Sequence, residues 1–344
     1  MMMKRFLFCL LFIVLIADLA AQDPQFSQYY QAPLYLNPGF TGITPQQRLV
    51  ANHRVQWPNL PQAFSTYAVS YDIFVDELRS GFGVLATTDK MGAAGWRTTT
   101  AGLLYSFKVK LTDNIVFSPG LYFGYGSNGL DRNRLTLGDG LEFQGQSLDP
   151  DLNKLGRQDY FDFGSGFIFY NRNLWLGAAF HHMNQPNLSV LNDVSRLPMK
   201  TSIHGGARIS LYNGPRTLAK VSYLTPSFIF RKQGKSFSQL DVGINYHIDP
   251  VSVGFWYRGK PFEKTVINSV AQDALILSLG MYFKNLSVGY SYDFTVSELQ
   301  TAAGGAHEIA LTYEFTAKPL NRSIKRKYRM IPCPSFNSKE GFWN

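Results

Sequence analysis

The sequence has little of what most function classes require. Its 344 residues include two cysteines, Cys9 and Cys333, and six histidines at 53, 181, 182, 204, 247 and 307 that stand at no zinc-type spacing with either. A disulfide framework or a Cys/His metal cluster is therefore excluded. Charged residues make up 17% of the chain, below the roughly 25% of an ordinary soluble domain, which argues against a disordered or nucleic-acid-coating protein. Beyond the N-terminus no stretch reaches about 18 consecutive apolar residues, so a polytopic helical membrane protein is excluded as well. A Gly-x-Ser-x-Gly elbow, a His-Glu-x-x-His pair and a phosphate loop are all missing, and with them the common signatures of hydrolases, metalloenzymes and nucleotide enzymes. The expectation is no catalysis, no metal and no cofactor.

What is present begins with an export signal. Lys4-Arg5 precede the apolar run Phe6 to Ile16, and small residues end it at Ala20-Ala21. This pattern reads as a secretory signal peptide over residues 1–21, cleaved before Gln22. Cys9 falls inside the apolar run, not after a cleavage site, so it is not a lipid-attachment position. The formal net charge of +9 becomes +8 once Lys4, Arg5 and Asp18 leave, and residues 317–344, with seven Lys/Arg and one Glu, hold +6 of it. The body is nearly neutral. Export, and the confinement of positive charge to one short terminal run, argue against nucleic acid as a partner.

Between Arg48 and Phe315 one kind of unit recurs: about ten residues of alternating apolar and polar or small side chains between turn residues. In Leu286 to Phe294, one face carries Leu286, Val288, Tyr290, Tyr292 and Phe294, and the other carries Ser287, Gly289, Ser291 and Asp293. Period 2 places each set on one side of a sheet. The same reading over the rest of the chain predicts about 14 strands, with the stretch around Pro226 interrupting the alternation.

The connections separate a membrane barrel from a soluble sandwich. Joins after even strands are short: 75–80, Thr112-Asp113, Arg172, Asn213–Arg216, Asp249-Pro250 and Lys284-Asn285. Joins after odd strands include the long segments 128–157 and 183–199. Transmembrane β-barrels show this asymmetry, with tight periplasmic turns, longer outer loops and outward apolar faces rich in aromatics. A sandwich also alternates, but it varies its loops at both ends and rarely needs 27 Phe and 19 Tyr. The predicted fold is all-β: a transmembrane antiparallel barrel over 47–316, an N-terminal lead or plug segment over 22–46, and a basic tail over 317–344. An even strand count puts both termini in the periplasm and the barrel in the cell outer membrane.

Several motifs resemble a known family. The mature chain opens with Gln22-Asp-Pro-Gln-Phe-Ser-Gln-Tyr-Tyr30 and continues with Tyr35-Leu-Asn-Pro-Gly-Phe-Thr-Gly42. His53-Arg-Val-Gln-Trp57, Ser70-Tyr-Asp72, Phe161-Asp-Phe-Gly-Ser-Gly166, Leu174 to His181, Ser291 to Ser297 and Gly305 to Leu311 follow in order. Together they resemble the PorP/SprF family of outer-membrane proteins of the type IX secretion system, over Gln22 to about Phe315. The tail after Phe315 departs from members that end near the last strand. The resemblance implies a non-enzymatic barrel serving export or the surface placement of secreted proteins, including adhesins used in gliding. It implies as partners other outer-membrane and periplasmic ring components of that system and a secreted adhesin or cargo protein.

Two segments carry the candidate site residues. The first, with Asp23, Pro24, Phe26, Tyr29, Asn37 and Pro38, lacks strand alternation and reads as a plug in the lumen, a contact for a secreted partner, or a lead into the first strand. The second is the tail. Arg322, Lys325, Arg326, Lys327, Tyr328 and Arg329 form a basic run with an aromatic peg, and Pro332, Cys333, Pro334 and Phe336 continue it in an extended course. Such a segment suits strand addition or groove insertion on a periplasmic partner, or adhesion to outer-membrane lipid headgroups at about 1 kcal/mol per basic residue. Cys333 is a lone thiol in an oxidising compartment, where exposed thiols react.

Inward positions taken from the alternation include Arg54, Asp72, Lys108, His204, Asp241, Arg258, Asp293 and Glu308, which either line a water channel or pair to fill a closed interior. His181 and His182, as strand neighbours, should point to opposite faces. The competing function is a channel for hydrophobic or small solutes.

Overall fold

Strand after strand, alternate residues are exposed and buried. Leu275, Leu277, Leu279, Met281 and Phe283 are exposed, whereas Ala274, Ile276 and Ser278 between them are buried. A pleated strand sends successive side chains to opposite faces, so the exposed faces are large and apolar and the buried ones are small, polar or charged. That is the inverse of a soluble sheet.

In the computed structural model the described residues are 23–44, 47–60, 63–92, 95–130, 156–190, 193–211, 222–234, 237–259, 274–295 and 304–315. The strands are β1 (Gln47–Gln56), β2 (Phe64–Val75), β3 (Ser80–Met91), β4 (Trp96–Phe107), β5 (Val109–Lys110), β6 (Val116–Gly129), β7 (Arg157–Tyr170) and β8 (Leu174–His181). They continue with β9 (Lys200–Ala207), β10 (Ile209–Ser210), β11 (Ser222–Gln233), β12 (Phe237–Ile248), β13 (Val251–Gly259), β14 (Ala274–Phe283), β15 (Leu286–Thr295) and β16 (Ala306–Phe315). All pair antiparallel in chain order, and β16 returns to β1 in register from Gln47↔Phe315 to Gln56↔Ala306. The two-residue pieces β5 and β10 extend β4 and β9, so the ring is a closed barrel of 14 strands, as the alternation predicts. Closure leaves no unpaired edge, which is the condition for a sheet to lie in lipid. No helix among the described residues is long and apolar enough to cross a membrane.

Both interruptions have the same cause. Ser106 pairs with Gly120 and Val109 with Phe117, so Phe107 falls opposite Pro119. Gly206 pairs with Ser227 and Ile209 with Leu224, so Ala207 falls opposite Pro226. Proline has no N–H to give the ladder. Around Pro226 the burial alternation itself persists along β11; what breaks is the hydrogen bonding. Residues 212–221, which hold the expected Asn213–Arg216 turn, lie outside the described residues.

The ring has two unlike ends. Gln47 of β1 and Phe315 of β16 lie at one, with the tight joins 76–79, 171–173, Asp249-Pro250 and 284–285. The other carries the longer joins 130–156, 182–199 and 260–273. We call these the short-turn end and the long-loop end.

The apolar core lies within the ring. Phe26, Ala32 and Leu34 cluster with Ala68, Leu85, Leu104 and Tyr122. Tyr29, Leu36, Phe40 and Ile43 cluster with Val116, Ile168, Trp175, Ile229, Trp256 and Ile276. Each cluster joins the N-terminal segment to inward side chains of the wall.

Candidate functional site

The segment Asp23–Thr44 is too short of strand-forming alternation to extend the sheet, and its prolines favour turns. Three of them follow one another: a 3-10 turn at Tyr29–Gln31, one α-helical turn at Pro33–Leu36 and a 3-10 turn at Pro38–Phe40. Pro33 and Pro38 each sit at a first helical position, where a missing N–H costs nothing. The result is a compact rope crossing the lumen from the long-loop end to the short-turn end. Phe26, 2% exposed, packs edge-on against Tyr35 at 5.2 Å, and the Tyr35 hydroxyl donates to the Pro24 carbonyl at 2.6 Å, closing the rope on itself.

At the long-loop end Asp23 is the anchor. Its Oδ2 lies 2.8 Å from His182 Nε2 and accepts from Lys200 Nζ at 2.7 Å, while Gln233 Nε2 donates to Oδ1 at 3.2 Å. His182 Nδ1 lies 3.0 Å from Asp162 Oδ2. Burial pushes the Asp23 carboxyl up, but the charges of His182 and Lys200 outweigh it and hold the group well below the usual range. Burial likewise disfavours a charged His182, and Asp23 and Asp162 reverse that, raising it to about 9.

In the middle runs a belt of alternating charge on inward positions. Arg231 meets Asp241 at 2.9 Å, Asp241 meets Arg258 at 3.1 Å, Arg258 meets Asp293 at 3.0 Å, Asp293 meets Arg54 at 2.8 Å, and Arg54 meets Glu308 at 3.4 Å. Buried charge is tolerable only when paired and hydrogen-bonded, and here the rope completes the set. Ser27 N donates to Glu308 Oε2 at 2.6 Å, Gln28 N donates to Oε1 at 3.0 Å, and Ser27 Oγ donates to Asp293 Oδ2 at 2.6 Å. Tyr29 and Tyr30 then pack on Trp256, at 5.3 and 5.9 Å between ring centres.

At the short-turn end the anchors are polar side chains set against backbone atoms. Asn37, fully buried, turns Oδ1 to Gly39 N at 2.8 Å and Nδ2 to Phe167 O, Ala178 O and His204 Nε2 at 3.0–3.1 Å. Lys108 Nζ donates to Thr41 O and Ser118 Oγ, each at 2.8 Å. Asp72, paired with Arg48 at 2.9 Å, accepts from Gly42 N at 2.8 Å.

The expected site residues divide accordingly. Asp23, Pro24, Phe26, Tyr29, Asn37 and Pro38 lie inside the ring, spaced along the rope from one end to the other. Arg322, Lys325, Arg326, Lys327, Tyr328, Arg329, Pro332, Cys333, Pro334 and Phe336 lie outside the described residues. Asp23 and Phe315, the first and last described residues, stand at opposite ends of the barrel. His181 and His182 depart from the expectation of opposite faces. His182 has φ 57°, a left-handed turn just past β8, so both rings reach the rope, His181 Nε2 lying 3.2 Å from Leu36 O. Among the described residues no cluster suited to a metal occurs.

Period-2 reading misses the glycines that make room. A side chain at Gly81 would strike the Thr41 carbonyl, and one at Gly120 would strike the backbone of Pro38 and Gly39. In sequence each looks like a weak strand position; the signal was their inward parity.

Comparison with curated proteins finds no match. Among solved structures the chain is similar to the P. putida toluene transporter TodX, at 10% identity over 83% of this chain and 94% of that one, with a TM-score of 0.47. It is also similar to BamA from Haemophilus ducreyi lacking POTRA domains 1–3, at 7% identity over 79% and 71%, with a TM-score of 0.40. The family model described as type IX secretion system membrane protein PorP/SprF matches residues 18–313, and the chain belongs to that family.

Proposed function

We propose that this protein is a non-enzymatic outer-membrane barrel that supports type IX export or surface placement of a secreted adhesin or cargo, with its own lumen held shut by residues 22–46. The observation that carries the reading is the rope from Asp23 to Thr44, anchored at both ends and along its middle to the inward wall. A lumen so filled offers no path for a polypeptide, so the barrel serves export as a fixed outer-membrane platform. Its long-loop end faces the exterior and meets cargo. Its short-turn end faces the periplasm, where the basic tail from Arg322 to Phe336 docks on periplasmic ring components. The solute-channel alternative requires the rope to leave the lumen.

The tail is tested by deleting 318–344. The truncated barrel is expected to insert normally and to lose its periplasmic partners on affinity purification from native membranes. Undiminished recovery of those partners would contradict the docking role.

A further inference from the structure

The outer wall carries one pair of charges that neither the barrel nor its lumen explains. Lys90 and Arg97 are register partners across β3 and β4, both outward and both exposed, at the long-loop end. Like charges directly opposite one another in an antiparallel pair repel. Among the described residues neither has a carboxylate partner; Asp159, an outward carboxylate on β7, pairs with Arg157 at 3.2 Å. Lys90 Nζ instead rests 5.9 Å from the centre of the Tyr67 ring, which is itself stacked on His53 at 4.2 Å.

The rows below the pair follow a definite order. One row toward the short-turn end stand the hydroxyls of Thr88 and Thr99, 3.4 Å apart. The next row is low and apolar, Val69, Ala86 and Ala101 in register. Then come Val84 and Leu103, the latter 65% exposed. Cations, then hydroxyls, then apolar surface is the order in which a phosphorylated lipid presents phosphate, ester or sugar oxygens, and acyl chain.

We propose that Lys90 and Arg97 bind the phosphate of a membrane lipid seated against β3 and β4, with Thr88 and Thr99 on its neighbouring oxygens and its chain over Ala86 and Ala101. The anion relieves the repulsion of the pair, and Tyr67 fixes Lys90 sideways. The site sits on the outside of the ring and shares no side chain with the rope.

The test compares the full chain with Lys90→Gln/Arg97→Gln in mild detergent, by native mass spectrometry with added phosphatidylglycerol, with diacylglycerol and with inorganic phosphate. Unchanged heat-modifiable electrophoretic mobility shows that the variant still folds. The wild type is expected to carry phosphatidylglycerol at about tenfold higher occupancy than the variant, as two cations near a phosphate surface allow, with no such difference for diacylglycerol. Equal phosphatidylglycerol occupancy in the two proteins would overturn the proposal. Complete displacement of the lipid by millimolar inorganic phosphate would overturn the lipid as the source of the anion.

Discussion

Asn37 shows how much one side chain holds. Its carboxamide caps the turn that follows, through Gly39 N, and reaches the carbonyls of Phe167 and Ala178 on two adjacent strands and His204 on a third. Aspartate would lose the donor and leucine both functions. Truncation in Asn37→Ala leaves the groups it bonds unpaired at a fully buried site, a cost of about 2–3 kcal/mol. The temperature at which the folded barrel loses its fast electrophoretic mobility should fall by several degrees in this variant. An unchanged transition would show that the short-turn end of the rope contributes nothing to the fold.

At the scale of elements, the rope is held differently at its two ends. Near Thr44 the partners are backbone carbonyls, a lysine and Asp72; at Asp23 they are a histidine, a lysine and a glutamine, with Asp162 behind the histidine. The long-loop end therefore responds to pH. His182 is raised to about 9 when Asp23 is docked, against an ordinary value near 6.5. Its contribution is complete below that ordinary value and is lost as the pH rises through about 9. Asp23 is depressed, so its contribution is present above its ordinary value near 3.9 and is lost as the pH falls through its lower docked value. Between these limits the latch is closed. Protease cleavage within 23–31 in detergent-solubilised protein should accelerate once the pH exceeds about 9, and His182→Gln should abolish that step. Cleavage independent of pH from 7 to 10 would contradict the latch.

The strands were legible from sequence because lipid favours apolar side chains at outward positions, so the period shows plainly in stretches such as Leu286 to Phe294. Legible too were the inward charges, since Arg54, Asp241, Arg258, Asp293 and Glu308 all fall on the parity opposite to the apolar outward face. Their pairing order was not, because it depends on register between strands far apart in the chain. The path of Asp23–Thr44 was hidden for the same reason. Turns built on Pro33 and Pro38 show that the segment is no strand, but not that Phe26, Leu34 and Phe40 would meet Leu85, Tyr122 and Ile168 inside the ring. The left-handed turn at His182 escaped because nothing in His-His-Met announces a positive φ.

Taken whole, the molecule is an apolar cylinder around a neutralised interior. Outward Phe, Tyr and Leu meet lipid, while the belt from Arg231 to Glu308 alternates in sign so that its three cations and three anions cancel. The rope enters at one end and delivers the chain to β1 at the other, so the sealed interior and the start of the sheet are parts of one continuous segment. The central claim is that this segment closes the barrel, and current across a planar bilayer measures it directly. The full chain should insert without conducting, while a chain lacking 23–44, shown to be folded by its heat-modifiable mobility, should give stable ohmic openings. Openings of the same size from the full chain, or a folded deletion that still passes no current, would contradict it.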